Sequence, residues 1–168
     1  EHPREEKMIS LIVLAAGKST RMNENKLLLR INGETLIEHL VRVAKESNAG
    51  ELIVVLGHEA ARIREVVTEP GCKFAINENY MKGQSESVKV GLSTVSDSAE
   101  AVMILPADVA LVDSKSINKV LEEYRRSKKT IVIASHEHQS GHPILLDRII
   151  FPEIAKITEN TQGLKAVI

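Results

Sequence analysis

Cysteine is nearly missing from this chain of 168 residues. Cys72 stands alone, which excludes an intrachain disulfide and a cysteine-built zinc site. Nothing around it suggests an activated thiolate, so it reads as a small residue on a strand. Aromatic residues make up 2% and Trp is absent, so the stacking platforms used on single-stranded nucleic acid are lacking. Charge of one sign is not in excess either. Lys and Arg number 22 against 23 Asp and Glu, for a net charge of −1, and a broad electrostatic footprint for nucleic acid is excluded. The longest apolar run, Leu11 to Ala16, falls far short of the roughly 20 residues that span a bilayer. No signal-peptide pattern precedes it, and the expected location is the cytoplasm.

What remains is the balance of a globular protein, 43% hydrophobic and 27% charged, of a length that suits one domain. Residues 1–7 are polar and read as a flexible arm, with the domain over 8–168. Met8 to Ala16 is apolar apart from Ser10 and is ended by Gly17, the pattern of a central strand buried on both faces. From Glu34 to Glu46 the apolar residues recur every three or four positions, as on one face of a helix. The alternation continues with a strand at 52–56, a helix at 59–67, a strand at 72–76, a helix at 85–95 and a strand at 101–105. A helix at 114–126, a strand at 130–134, a polar loop and a short strand at 143–146 complete it. Such alternation predicts a single-domain α/β fold of three layers, α/β/α, with a mostly parallel sheet and right-handed crossovers. Ligands of such sheets sit beyond the carboxyl ends of the strands.

Three loops at those ends are chemically unusual. In the first, Leu14-Ala15-Ala16-Gly17-Lys18-Ser19-Thr20-Arg21-Met22, small residues let the backbone approach a ligand and consecutive amides could form an anion nest. Arg21 and Lys26 could reach one phosphate chain, Arg gripping two oxygens and Lys acting as a point charge. A solvated basic turn is the alternative. The loop is neither a Walker loop nor a dinucleotide fingerprint, which removes most support for a kinase or a dehydrogenase. The second loop, Asn77 to Ser87, opens a helix with Gly83 and serines, where free amides and hydroxyls suit a phosphate or base edge, although an ordinary N-cap has the same pattern. The third, Leu105-Pro106-Ala107-Asp108, ends a buried strand on a carboxylate.

Leu14 to Met22 together with Lys26 resembles the signature loop of the nucleotidyltransferases that mature the molybdenum cofactor, and Asn77 to Leu92 resembles their second segment. The resemblance implies a Rossmann-like nucleotidyltransferase fold. It also implies a triphosphate cradled by Leu14, Ala15, Ala16, Gly17 and Ser19, with Arg21 and Lys26 as catalytic cations and Asn77, Gly83 and Ser87 as further nucleotide-binding residues. Asp108 would hold Mg²⁺ between the phosphates, as oxygen ligands suit this hard ion. Ser140-Gly141-His142-Pro143 is similar to a segment of the cytidylyl-transferring members, which puts His142 on the acceptor. Ala15-Ala16 stands where guanylyl-transferring members carry Ala-Gly-Gly, so CTP is the expected donor and molybdopterin the expected acceptor, with a molybdoenzyme as maturation partner.

The pattern departs from the family at four places. Asn23 replaces a Gly after Arg-Met, and Val109-Ala110 follows Asp108 where Gln-Pro or Met-Pro is usual. Thr161 stands in Asn160-Thr161-Gln162-Gly163 for the Asp of a second acidic motif, a role that Glu159 could take, and the chain ends at Ile168, short of typical members. The implied chemistry is attack by an acceptor phosphate oxygen on the α-phosphorus, with pyrophosphate leaving and no general base. A sugar- or polyol-phosphate nucleotidyltransferase, a molybdenum cofactor guanylyltransferase and a nucleotide-binding protein without catalysis are the alternatives.

Overall fold

A computed structural model describes residues 8–18, 20–21, 24–108, 112–136 and 139–158. Its centre is β1 (Met8–Ala15), buried along almost its whole length, as its apolar run from Leu11 onward requires. The strands β6 (Glu51–Leu56) and β8 (Ala99–Pro106) flank it, both parallel to it, and β7 (Lys73–Ile76) continues the sheet parallel to β6. Cys72 precedes β7 rather than lying on it, and burial pushes its thiol up to about 11, so it stays protonated at neutral pH.

On the other side lie β10 (Gln139–Asp147) and β9 (Ile131–His136), giving the order β7-β6-β1-β8-β10-β9. The polar loop expected after residue 134 is instead largely strand, and β10 runs antiparallel to both neighbours. The crossover from β8 through α4 (Ser114–Ser127) places β9 one position too far out to pair with β8. The chain folds back at once to fill that slot, and Ile144, Leu145 and Leu146 are buried there.

Alternate residues of β1 serve opposite layers. Ile9, Leu11, Val13 and Ala15 pack with α1 (Leu36–Glu46), α2 (Ala60–Val66) and α4, while Ile12 and Leu14 pack on the face covered by α3 (Gln84–Thr94) and α5 (Phe151–Ile154). The helix α1 begins on a reciprocal cap in which Thr35 Oγ1 accepts from the Glu38 amide and the Glu38 carboxylate accepts from the Thr35 amide. Two short hairpins interrupt the segment between β1 and α1, β2 (Thr20–Arg21) with β3 (Glu24–Asn25) and β4 (Arg30–Ile31) with β5 (Glu34–Thr35). Among the described residues no helix is long and apolar enough to cross a membrane.

The amino-terminal end of the sheet is tied by a polar cluster. Glu51 accepts from Ser10 Oγ at 2.8 Å and from the Ser96 amide at 3.1 Å, and pairs with Lys73 at 2.5 Å. Burial alone would raise the Glu51 pKa, but these donors outweigh it and hold the carboxyl below its ordinary range.

Candidate functional site

The chain leaves β1 toward β6 on one side and returns to β8 on the other, so β1 and β8 flank the switch point of the sheet. A cleft of about 210 Å³ opens at their carboxyl ends. The backbone from Leu14 to Lys18 forms one wall, Ala107 and Asp108 another, and Tyr80, Gly83, Gln84 and Ser87 a third.

Each wall is held by bonds outside the cleft. The Ala107 amide donates to the Leu14 carbonyl at 2.9 Å, and the His58 amide donates to the Ala16 carbonyl at 2.9 Å, which fixes the first loop between β6 and β8. Gly83 has φ 112° and ψ 176°, a conformation open to glycine alone, and it starts α3 without a side-chain cap. The start of α3 therefore lies at the cleft, the helix end at which an anion is favoured.

The residues named from sequence distribute as follows. Leu14, Ala15, Ala16, Gly17, Gly83, Ser87 and Asp108 converge on the cleft. Asp108 is exposed at its rim in the turn after β8. Asn77 is not on the wall. It is buried, its Nδ2 donates to Ser87 Oγ at 2.9 Å and its Oδ1 accepts from the Asn79 amide at 2.9 Å, so it shapes the second loop from behind. Lys26 opens a 3₁₀ turn, Lys26–Leu28, whose next residue Leu27 lines the cleft. Arg21 lies on the first short hairpin, its side chain outside the described residues, and Ser19, Asn23, Glu159 and Thr161 lie outside them as well.

His142 arrives at the site because β10 is antiparallel. The start of β10 lies against the end of β8, and His142 falls within the field of Asp108. Burial lowers its pKa while the Asp108 charge opposes that, and the net shift is downward, leaving a neutral imidazole at pH 7.

Two features escaped the sequence. Lys18 stands exposed on the cleft wall, and its only signal was its place directly after Gly17. Ala16 is 1% exposed, and its methyl lies beside Gly57, 3.0 Å from where a side chain there would begin.

Among the described residues no three His, Cys, Asp or Glu side chains converge as a metal cage. Mg²⁺ does not demand one. It is ordinarily bound by one or two carboxylates, substrate phosphates and waters, and a single exposed Asp108 on the rim of the cleft fits that need.

A mostly parallel α/β sheet with a small-residue loop, a bare helix start and a rim carboxylate at its switch point belongs to the nucleotide-handling class of α/β domains. The MobA-like NTP transferase domain matches residues 11–168, and the chain belongs to that family of nucleotidyltransferases. Among curated relatives, the bifunctional protein GlmU of Desulfotalea psychrophila is 28% identical over 149 residues, covering 88% of this chain and 43% of its own length. The GlmU of Solibacter usitatus is 30% identical over 118 residues, 68% of this chain and 25% of its own. The chain thus spans less than half of these relatives.

Solved structures agree on the fold. Rv0371c of Mycobacterium tuberculosis H37Rv superposes with a TM-score of 0.85 at 24% identity, over 96% of this chain and 82% of that one. A structure of the same protein in complex with manganese gives 0.81, also at 24% identity, over 95% and 82%. A nucleotidyl transferase from Methanothermobacter thermautotroptrophicus gives 0.77 at 22% identity, over 89% and 76%.

Proposed function

We propose that this domain transfers a nucleoside monophosphate from a nucleoside triphosphate to a phosphorylated small molecule with release of pyrophosphate, with CTP as donor and molybdopterin as acceptor. The observation that carries the reading is the meeting of the Leu14–Lys18 backbone, the uncapped start of α3 and Asp108 around one cleft. In this reading the loop amides with Lys18, Arg21 and Lys26 neutralise the triphosphate, and Ser87 and the amides after Gly83 hold the nucleoside end. Asp108 is the protein ligand of Mg²⁺, which when bound supplies charge neutralisation at the reacting phosphates.

A phosphate nucleophile is already ionised at neutral pH, so positioning and charge suffice and no base is required. His142, kept neutral by its burial and within the field of Asp108, offers the acceptor phosphate a hydrogen bond rather than a second charge. The donor preference rests on the resemblance of the first loop to the cytidylyl-transferring members. A second reading, a sugar- or polyol-phosphate acceptor, is favoured by the similarity to GlmU proteins.

The test is pyrophosphate release from each of CTP, GTP, UTP and ATP with Mg²⁺, against molybdopterin and a panel of sugar and polyol phosphates. Release with CTP and molybdopterin alone supports the first reading, release with a sugar or polyol phosphate replaces it by the second, and release with no pair excludes transfer to these acceptors.

A further inference from the structure

Glu59 is the one residue near the cleft, among those described, that is neither glycine nor in an ordinary turn and yet takes a left-handed backbone, with φ 53° and ψ 36°. The other two have local reasons. Asn32 precedes Gly33 in the tight turn of a hairpin, and Lys128 closes the carboxyl end of α4. A left-handed glutamate costs free energy relative to a right-handed one. Glu59 also occupies the N-cap position of α2, where a carboxylate ordinarily accepts from its own helix, but it makes no such bond.

Its carboxylate is turned elsewhere. Oε1 accepts from Asn25 Nδ2 at 3.4 Å and faces His58 Nε2 at 3.2 Å, and Oε2 accepts from the Arg62 guanidinium. Asn25 is buried, and its other side-chain atom, Oδ1, accepts from the Leu27 amide at 3.0 Å and so caps the turn that begins with Lys26. His58 in turn holds the first loop through its amide and meets the Tyr80 ring of the second loop at a centroid distance of 5.7 Å. The segment 57–59 thus touches the first loop, the second loop and the end of the hairpin that leads into Lys26, all from behind the cleft.

We infer that Glu59 is a positioning residue, whose carboxylate tethers Asn25 and thereby sets Lys26 and the β2–β3 hairpin against the phosphate-binding side of the cleft. The functional half of this inference rests on the triphosphate reading above. The left-handed backbone accompanies a carboxylate shared between Asn25, His58 and Arg62 of its own helix, with none of it spent on capping the helix amides. Glu59→Gln keeps an accepting oxygen for Asn25, whereas Glu59→Ala removes it.

The experiment uses the whole chain and two readouts. Amide hydrogen exchange over residues 20–27 should accelerate in Glu59→Ala and stay near wild type in Glu59→Gln. Calorimetric titration with Mg–CTP should show Kd raised about tenfold in Glu59→Ala, one step of the affinity scale, with stoichiometry unchanged. A merely structural loss would lower the number of binding sites at constant Kd. Unchanged exchange over 20–27 in Glu59→Ala overturns the tether, and so does equal damage from Gln and Ala. If the wild type binds none of the four nucleoside triphosphates, the proposed function falls, and the exchange comparison still decides whether Glu59 holds the hairpin.

Discussion

Replacing Gly91 by Ala tests whether the packing that aims α3 at the cleft is as tight as the structure has it. Gly91 lies inside α3, and a methyl built there would stand 2.7 Å from Ile12 Cγ2, 3.1 Å from Val55 Cγ2 and 3.3 Å from Ile12 Cδ1. Ile12 and Val55 are both fully buried in central strands, so neither side chain can swing away. The helix must lift or the sheet must yield, and overpacking of this kind costs about 1–3 kcal/mol. Against it, Ala gains about 1 kcal/mol over Gly inside a helix.

With no room to relax, the steric cost lies in the upper part of that range, about 2–3 kcal/mol, and the net loss should be about 1–2 kcal/mol. For a chain of this size that lowers Tm by roughly 3–6 °C. Thermal unfolding followed by circular dichroism reads it directly. Because the lifted helix carries Gly83, Gln84 and Ser87, nucleotide affinity should fall in the same variant. A Tm equal to or above that of wild type would mean that helix propensity outweighs the contact, and the account of how α3 is seated would be wrong.

Lys26→Ala and Arg21→Ala should each weaken Mg–CTP binding by about 1.5–3 kcal/mol, the scale of one charged hydrogen bond, with Tm little changed; equal affinity in both variants would remove the cationic loop from the site. Gly17→Ala should leave Tm unaltered, since no atom lies within 4 Å of the added methyl, yet weaken nucleotide binding, because Gly17 is exposed on the cleft wall; calorimetry and a melt on one sample separate the two. Glu51 has a depressed pKa in the folded state, so its contribution is complete above its unfolded pKa, about 4.3, and is lost as pH falls below that through the folded value. Glu51→Gln should therefore lower Tm at pH 7 and flatten its fall below about pH 4.5, and an unchanged acid limb would show that the Ser10–Glu51–Lys73 cluster adds nothing.

The helices α1 to α4 and the parallel strands were legible because their signals are local, whereas the single turn of α5 and the two hairpins carry too few residues to show a period. The run in β1, the stripe of α1 and the breaks at Gly17 and Pro70 each act within a few residues. The direction of β10 was not legible, because it depends on the vacant slot between β8 and β9, which only the crossover through α4 creates. The cleft was readable where a residue type is tied to backbone behaviour, as at Gly17, Gly83 and Asp108.

It was unreadable where a side chain works through partners distant in sequence. Asn77 bonds Ser87 and Asn79 from behind the second loop, a placement its residue type alone does not reveal. Glu59, at the head of a charged helix, resembles any solvated glutamate until Asn25, 34 positions away, is seen beside it.

The central claim is that the rim carboxylate serves a metal-assisted transfer in this cleft. Asp108→Asn keeps the shape and removes the charge, and the most direct measurement is pyrophosphate release by this variant and by the wild type across a Mg²⁺ titration. Turnover should fall by at least on the order of 10²-fold, the scale of one lost electrostatic contact in a transition state, and higher Mg²⁺ should restore part of it. Near-normal turnover of Asp108→Asn at low millimolar Mg²⁺ would contradict the account, reducing Asp108 to a residue that only turns the chain after β8.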